Sequence, residues 1–458
     1  MPKRLPVIFV LAACQAAATQ AAEPRLADPD HPLLHQVAGK VSQAELRTTI
    51  EHLVGFGTRH TLSDTRSETR GVGAARRWVQ ASFNTLSGQC GGCLVVETPA
   101  ETLTGARVPS PTEVVDVVAI QPGTMDPDRV VIVSAHVDSR NSDVMNATRD
   151  APGANDDGSG VAVVMEAARV LSKHRFPATI VYAVLSGEEQ GLLGGGVLAR
   201  YAKAKGWRVE AQFNNDIVGN THGEGGAIDS THLRVFSEGT KALETPAEAS
   251  LRRLTGGELD SPSRSLGRFL DGLAPRYVKG LSVRMVYRSD RFGRGGDQKP
   301  LQEAGFPAVR LTEAAENFDR QHQDVRTENG RPYGDVIGGV DFPYLAKVAK
   351  LNTVALAAAA SAPSPPEAVG IERTTPGTTL TWSPSRGAAG YRVWWRDTVE
   401  PRWSHKRSAG RATSLVLDDQ VIDDWFFGVS AVSSDGYESP VEFPGAAGAY
   451  FPLPAKAP

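Results

Sequence analysis

Acidic and imidazole side chains follow two strand-like segments of this sequence. His136 and Asp138 come directly after the apolar run 130–135, and Glu188 and Glu189 follow a second apolar run. The ends of strands are where open α/β sheets place their ligands. His136 and Asp138 are two residues apart on one side of an extended chain, so the carboxylate can hold one ring nitrogen while the other meets a metal.

A further acidic pair opens a predicted helix. Asp156 and Asp157 lie in the glycine-rich turn 153–160, ahead of an apolar pattern that predicts a core helix from about 159 to 173. A helix N-cap explains one aspartate, but it does not explain two in succession.

Two more side chains complete the set. Asp216 lies within the strand-like run 211–218, where a buried aspartate is costly unless it is paired or binds a metal. His322 follows the strand-like run 307–311. Each of these groups alone has a structural explanation. Acids or imidazoles at or just beyond four strand ends together indicate a single site.

Two imidazoles and three carboxylates form a donor set that suits zinc. Five ligands exceed the needs of one tetrahedral ion, so a bridging aspartate would hold two ions ~3.5 to 4 Å apart with a shared water. The remaining glutamate would take the proton of that water and return it to a leaving amine. The predicted chemistry is metal-assisted amide hydrolysis.

The order of elements predicts two domains. Residues 23–361 alternate strand-like runs with amphipathic stretches, which is the pattern of a layered α/β domain. The Pro-rich stretch 362–367 predicts a semi-rigid linker, and residues 368–455 predict a small all-β immunoglobulin-like sandwich. The strands predicted in this sandwich are 379–382, 390–395, 414–417 and 426–432.

The first residues predict export. Lys3 and Arg4 precede a short apolar run, as in a secretory signal, so residues 1–22 are excluded from the fold. Cys14 ends a lipobox-like sequence and would carry a lipid anchor, whereas the Ala-rich run that follows suits an ordinary signal peptidase; both routes remain open. The expected location is periplasmic or extracellular. There, Cys90 and Cys93 could form a disulfide.

The composition excludes several classes of protein. The chain has 458 residues, 49 Lys+Arg against 52 Asp+Glu, and a net charge of −3, so a nucleic-acid partner is not expected. No apolar run approaches the roughly 20 residues of a membrane span. The sequence carries no signal for an oligomeric state.

The ordered motifs are similar to those of the co-catalytic zinc aminopeptidase family, which includes bacterial leucyl aminopeptidases, aminopeptidase Y and glutamate carboxypeptidase. The matching motifs are Ser-Ala-His-Val-Asp-Ser, Gly-Ala-Asn-Asp-Asp-Gly-Ser-Gly, Ser-Gly-Glu-Glu-Gln-Gly, Asn-Asn-Asp-Ile-Val-Gly and His322, within about residues 40–360. The resemblance implies a phosphorylase/hydrolase-like mixed sheet between helices and a secreted aminopeptidase acting on peptide N-termini. The C-terminal segment resembles a fibronectin type III module.

The resemblance also implies a role for each site residue. One zinc would be held by His136, Asp156 and Asp216, and the other by Asp156, Glu189 and His322, with Asp156 as the bridge, Glu188 as the general base and Asp138 as the residue that orients His136.

Three alternatives remain. A carboxypeptidase of the same fold would need clustered arginines in its specificity pocket. A glutaminyl-cyclase-like transferase would work with one zinc, whereas this chain retains ligands for two. A receptor or scaffold that has lost hydrolysis would be marked by missing ligands, and none of the five is missing.

Some residues depart from the family pattern or receive a structural interpretation. Some members have an aromatic residue before the final histidine, where this chain has Gln321. Arg294 or Arg291 could contact the substrate, but the favoured interpretation is that they form surface salt bridges. His60 is predicted to be structural.

Overall fold

A computed structural model describes residues 30–374 and 377–451. The predicted signal segment 1–22, with Cys14, lies outside the described residues. Within those residues, none of the helices has the length and apolar character that a membrane crossing requires.

The helices and strands before residue 362 alternate along the chain. The helices are α1 (Pro32–Gly39), α2 (Gln43–Gly55), α3 (Gly71–Gln89), α4 (Gly158–Leu171), α5 (Leu193–Ala204), α6 (Pro246–Thr255), α7 (Pro262–Tyr277), α8 (Gln298–Glu303) and α9 (Phe342–Ser361), with short 3-10 turns at Glu224–Gly226 and Ile337–Gly339. The strands are β1 (Val95–Glu97), β2 (Ala100–Gly105), β3 (Val108–Val115), β4 (Val117–Gln121), β5 (Asp126–His136), β6 (Ala178–Leu185), β7 (Arg208–Asn215), β8 (His232–Phe236), β9 (Ser282–Val286), β10 (Ala308–Glu313), β11 (Arg326–Glu328) and β12 (Arg331–Tyr333).

Eight strands form one mixed sheet in the order β1-β4-β6-β5-β7-β10-β8-β9. Its centre is parallel, because β5 pairs with β6 and β7, and β7 pairs with β10, all in the same direction. All eight residues of β6 are buried, as expected for a strand covered on both faces. The predicted mixed sheet between helices is confirmed.

Helices cover both faces of this sheet. One apolar core joins it to α1, α2, α3, α4, α7 and α9, and a smaller core on the other face joins it to α5 and α8. The Asp157 side chain caps α4 by accepting a hydrogen bond from the Gly160 amide, so one aspartate of the predicted pair serves the helix.

The strand boundaries differ from prediction at two places. The apolar run 114–120, which its composition alone predicts to be one strand, is interrupted at Asp116, where the chain passes from β3 to β4. The Asp116 side chain accepts a hydrogen bond from the Ser186 amide. Strand β7 ends at Asn215, so Asp216 lies just beyond the strand and not within it.

The described residues 367–374 and 377–451 are referred to here as the C-terminal unit, and their strands form two small antiparallel sheets. The sheets have the orders β13-β14-β17 and β16-β15-β18, and side chains from both enter one apolar core. Their strands are β13 (Glu367–Arg373), β14 (Thr378–Ser383), β15 (Gly390–Asp397), β16 (His405–Gly410), β17 (Ser414–Leu417) and β18 (Trp425–Val432). The four strands predicted from the sequence fall within β14, β15, β17 and β18.

The predicted linker is buried. Residues 362–366 have little exposed surface. The Arg129 guanidinium donates to the Ala362 carbonyl over 2.7 Å, and the Ser364 hydroxyl donates to Glu210 over 2.5 Å. These contacts fix the segment against the first domain, so it is not a free spacer.

A buried ion cluster joins the C-terminal unit to α7. Arg396 of β15 donates two hydrogen bonds to the Asp260 carboxylate, at 2.9 and 2.8 Å, and Arg268 of α7 lies 2.8 Å from the same carboxylate. All three side chains are at most 7% exposed. The Cys90–Cys93 disulfide left open by the sequence is formed, with a Cα–Cα distance of 5.5 Å.

Candidate metal centre

The strand order of the sheet explains why the predicted residues meet. Strands β6, β5, β7 and β10 are neighbours and run parallel, so their carboxyl ends share one edge. His136 is the last residue of β5, and Asp216 directly follows β7. Glu188 and Glu189 follow β6, and His322 lies in the loop after β10. Asp156 completes the group from the turn before α4.

Asp156 lies between the two histidines. Its Oδ1 atom is 3.3 Å from His136 Nε2, and its Oδ2 atom is 3.0 Å from His322 Nε2. The same nitrogen of His322 is 3.0 Å from Glu189 Oε1. One carboxylate therefore faces two sets of metal-ligating atoms.

The site divides into two groups. Ligand atoms of Asp156, Glu189 and His322 lie within 4.8 Å of one another, and so do those of His136, Glu188 and Asp216. The structure thus brings all five predicted metal ligands together. It also places Glu188, the predicted general base, beside His136 and Asp216.

Two atoms of the predicted ligands are among the buried side-chain atoms that have no hydrogen-bond partner within the described residues. They are His136 Nε2 and Glu189 Oε1. Unsatisfied buried polar atoms are costly, and an ion bound here would satisfy both. The nitrogen and oxygen donors match the preferences of zinc. The residues therefore fit the implied metal.

The electrostatics of the site favour positive charge. Burial lowers the pKa of His322, but Glu189 and Asp156 outweigh it and raise that pKa to about 10. The pKa of His136 is likewise raised well above its usual range, because Glu188 and the nearby aspartates outweigh burial. Burial raises the pKa of the Glu188 carboxyl well above its usual range.

Asp138 contacts the metal ligands in a way the sequence did not indicate. His136 Nδ1 lies 3.0 Å from the Asp138 main-chain carbonyl and 3.6 Å from the Asp138 carboxylate, so the carbonyl is the hydrogen-bond partner. The carboxylate accepts hydrogen bonds from the amides of Glu188 and Glu189, at 3.2 and 3.1 Å, and from the Thr61 hydroxyl. Asp138 therefore connects two of the strand ends.

Sequence reasoning missed two residues that hold the Asp156 turn. The Asp335 carboxylate accepts a hydrogen bond from the Asp156 amide over 2.6 Å. Arg59 is fully buried and donates to the carbonyls of Pro152 and Gly153. Both residues are far from the turn in sequence, so no local sequence pattern predicts these contacts.

Arginines lie beside the metal centre. Arg310 of β10 is fully buried, with its Nη2 atom 2.7 Å from Asp216 Oδ1. Arg291 and Arg294 both contact the Glu316 carboxylate, at 3.2 and 2.8 Å. The Arg291 side chain is only 10% exposed, so its predicted surface position is wrong.

His60 and Gln321 are also buried. His60 contacts main-chain atoms of Val144 and Leu62 and the Gln190 side chain, as expected of a structural residue. Gln321 accepts a hydrogen bond from Arg294 over 3.0 Å through its side-chain oxygen.

Comparison with known proteins identifies the class. A model of peptidase family M28 matches residues 116–333. A probable zinc metalloprotease of Pyrenophora tritici-repentis is 42% identical over 418 residues, covering 90% of this chain and 86% of the relative. A probable zinc metalloprotease of Leptosphaeria maculans is 43% identical over 411 residues, covering 88% and 95%.

Solved structures share the fold at low identity. LapA of Legionella pneumophila superposes with a TM-score of 0.52 at 19% identity, over 72% of this chain and 76% of that one. LapB of the same organism gives 0.50 at 19% identity and the same coverage. The family match and the two curated relatives show that this chain is a metallopeptidase. It belongs to peptidase family M28 and is a zinc peptidase by that membership.

Proposed function

We propose that this chain is a two-zinc exopeptidase that removes residues from the N-termini of peptides. The observation that carries the proposal is the position of Asp156, whose two oxygens face His136 and His322. A carboxylate in this position suits a bridge between two ions. No predicted ligand is displaced from the group, which argues against an inert receptor or scaffold.

The residues around the centre suit hydrolysis. Zinc bound there would act as a Lewis acid toward the peptide carbonyl and lower the pKa of a water. Glu188 keeps some exposed surface, while the burial of most of its side chain raises the pKa of its carboxyl. This carboxyl can therefore accept a proton and return it to the leaving amine. Asp138 fixes the main chain of Glu188 and Glu189 and so positions base and ligand together.

Cleavage at N-termini rests on the resemblance of the motifs. The fold neighbour LapA from Legionella pneumophila is an aminopeptidase by name, which supports the same direction of cleavage here.

The purified protein should be assayed on a panel of aminoacyl anilides and C-terminally acidic peptides, before and after chelation and zinc restoration. We expect the anilides to be cleaved, chelation to abolish cleavage, and zinc to restore it. Cleavage of the acidic peptides alone would overturn the aminopeptidase assignment. Activity that survives complete chelation would defeat the zinc mechanism.

A specific observation favours a carboxypeptidase as the second candidate. Three arginines, Arg234, Arg291 and Arg294, share the single carboxylate of Glu316 close to the centre. The Nε atom of Arg291 is buried without a hydrogen-bond partner. This excess of positive charge suits a substrate carboxylate.

The variant Arg291→Gln separates the two candidates. If the arginines bind a substrate carboxylate, the variant raises KM for C-terminally acidic peptides. If they do not, KM for both substrate classes stays within about threefold of the wild-type value.

We also propose the domain division and the route of export. Residues 23–361 would form the peptidase domain and residues 368–455 a fibronectin type III-like sandwich, which the strand orders β13-β14-β17 and β16-β15-β18 support. The chain would be secreted after removal of residues 1–22. Mass spectrometry of the mature N-terminus tests this, because a diacylated Cys14 would indicate the lipoprotein route instead.

A further inference from the structure

The metal centre has two halves, the His136 half (His136, Glu188 and Asp216) and the His322 half (Asp156, Glu189 and His322). The charged residues next to these halves differ. Arg310 is 0% exposed, and its Nη2 atom lies 2.7 Å from Asp216 Oδ1. The Nη1 atom donates to the Gly295 carbonyl over 2.5 Å, which fixes the guanidinium in place. A permanent cation therefore rests on a metal ligand of the His136 half.

Arg291 adds a second positive charge on the same side. Its side chain is 10% exposed, and its charge acts on the carboxylate of Asp216 as well as on that of Glu316.

The other half has no such neighbour. Among residues 30–374 and 377–451, the carboxylates of Asp156 and Glu189 form ion pairs with histidines only. Arg107 approaches Glu189, but it donates to the main-chain carbonyl and not to the carboxylate. Within those residues no arginine forms an ion pair with the carboxylate of Asp156 or Glu189, whereas Arg310 forms one with Asp216.

Electrostatics turns this difference into a difference in affinity. A guanidinium that is ion-paired with a metal-ligating carboxylate repels a divalent cation. It also competes with that cation for the negative charge of the carboxylate. Because the group is buried, solvent and salt screen that repulsion weakly. The Asp216 oxygen that contacts Arg310 is also the one 3.9 Å from His136 Nε2, so the guanidinium and an ion bound beside His136 would compete for it. The second carboxylate oxygen leaves Asp216 able to bind an ion. Binding is weakened but not prevented.

We propose that Arg310 is a positioning residue that makes the half formed by His136 and Asp216 the weaker of two zinc sites. The half formed by Glu189 and His322 then fills first, and the second ion exchanges with the medium. This inference rests on the proposed two-zinc function and assigns an order to its two ions.

The test is a zinc titration of the full-length, metal-stripped protein against a chromophoric chelator, with bound zinc counted by mass spectrometry. The wild-type chain is expected to bind two ions with affinities at least tenfold apart. His322→Ala removes the half expected to be tight and should leave the weak step. Asp216→Ala should leave the tight step.

Arg310→Gln removes the charge and keeps an amide donor, and Arg310→Lys keeps the charge. We expect Arg310→Gln to tighten the weak step at least tenfold without moving the tight one, whereas Arg310→Lys preserves the gap. If Arg310→Gln does not fold, Arg291→Gln should tighten the same step by a smaller factor.

Two equal affinities in the wild-type chain would overturn the inference while leaving the two-zinc function intact. A weak step that Arg310→Gln leaves unchanged or weakens further would also overturn the inference. If Arg310→Gln does not fold, an unchanged weak step in Arg291→Gln would overturn it. Binding of no zinc, or of one ion only, would instead overturn the proposed function. Zinc binding is read directly, so a peptidase assay is not needed to separate these outcomes.

Discussion

The main-chain amide of Glu189 donates a hydrogen bond to the Asp138 carboxylate over 3.1 Å. The side chain of Asp138, which follows β5, therefore holds the main chain that follows the neighbouring strand β6. Asp138 is fully buried and accepts two further hydrogen bonds, from Glu188 and Thr61. Burial alone would raise the pKa of Asp138, but His136 and these donors hold it below its usual range. A charged acceptor is therefore maintained at the junction of two ligand loops.

Replacing Asp138 should loosen the metal centre. In Asp138→Asn, an amide group faces the donors of Glu188 and Glu189, so one contact is lost or becomes repulsive. We expect zinc affinity to fall about 10- to 100-fold. The measurement is a chelator competition, with Asp128→Asn, a substitution at an exposed position of β5, as the control. Equal zinc affinity in both variants would contradict the role given to Asp138.

The two adjacent glutamates should respond differently to the same substitution. Glu188→Gln is expected to lower kcat by ~10² to 10⁴, the scale of a lost general base, while both zinc ions remain bound. Glu189→Gln should lower the zinc content, because Glu189 is a predicted ligand. Zinc content and single-turnover rates distinguish the outcomes. Loss of zinc from Glu188→Gln, with zinc retained in Glu189→Gln, would reverse the two roles.

The sequence predicted which residues meet at the candidate metal centre, because each lies in a short local pattern at a strand end or a helix start. It predicted a layered α/β domain for a similar reason, since buried parallel strands read as continuous apolar runs; the mixed sheet was implied by the resemblance of the motifs. Arg310 could not be recognised in this way. It lies in an ordinary strand pattern, and its partner Asp216 comes from a different strand. The buried position of Arg291 was likewise set by tertiary contacts with Glu316, which no local spacing encodes.

The ion cluster between the two parts of the chain should control stability. Asp260→Asn leaves the buried guanidiniums of Arg268 and Arg396 without their counter-charge, and we expect a loss of about 3–5 kcal/mol in unfolding free energy. The control is Asp271→Asn, whose partner Arg402 is 62% exposed; that change should cost less than about 1 kcal/mol. Urea unfolding measures both, and similar midpoints would contradict this prediction.

Stability should also depend on pH through Glu238. Burial raises the pKa of Glu238 to about 7, so the folded chain keeps this proton between roughly pH 4.5 and 7, where the unfolded chain releases it. The contribution of Glu238 to the free energy of unfolding therefore becomes less favourable to the folded state as pH rises from about 4.5 to 7. Glu238→Gln should stabilise the protein by about 1–2 kcal/mol at pH 8 and give no gain at pH 4. Thermal unfolding at both pH values measures the difference, and a gain at pH 4 equal to that at pH 8 would exclude this cause.

The strand order of the sheet sets when hydrolysis can begin. Between His136 and His322 the chain must complete β6, β7 and β10 and dock them beside β5 before the ligands share one edge. A chain still emerging from the ribosome, or held unfolded for transport, thus carries scattered acids and imidazoles but no competent catalyst. Peptidase activity therefore arises only in the folded protein, because the strand order requires the sheet to form before the site residues meet.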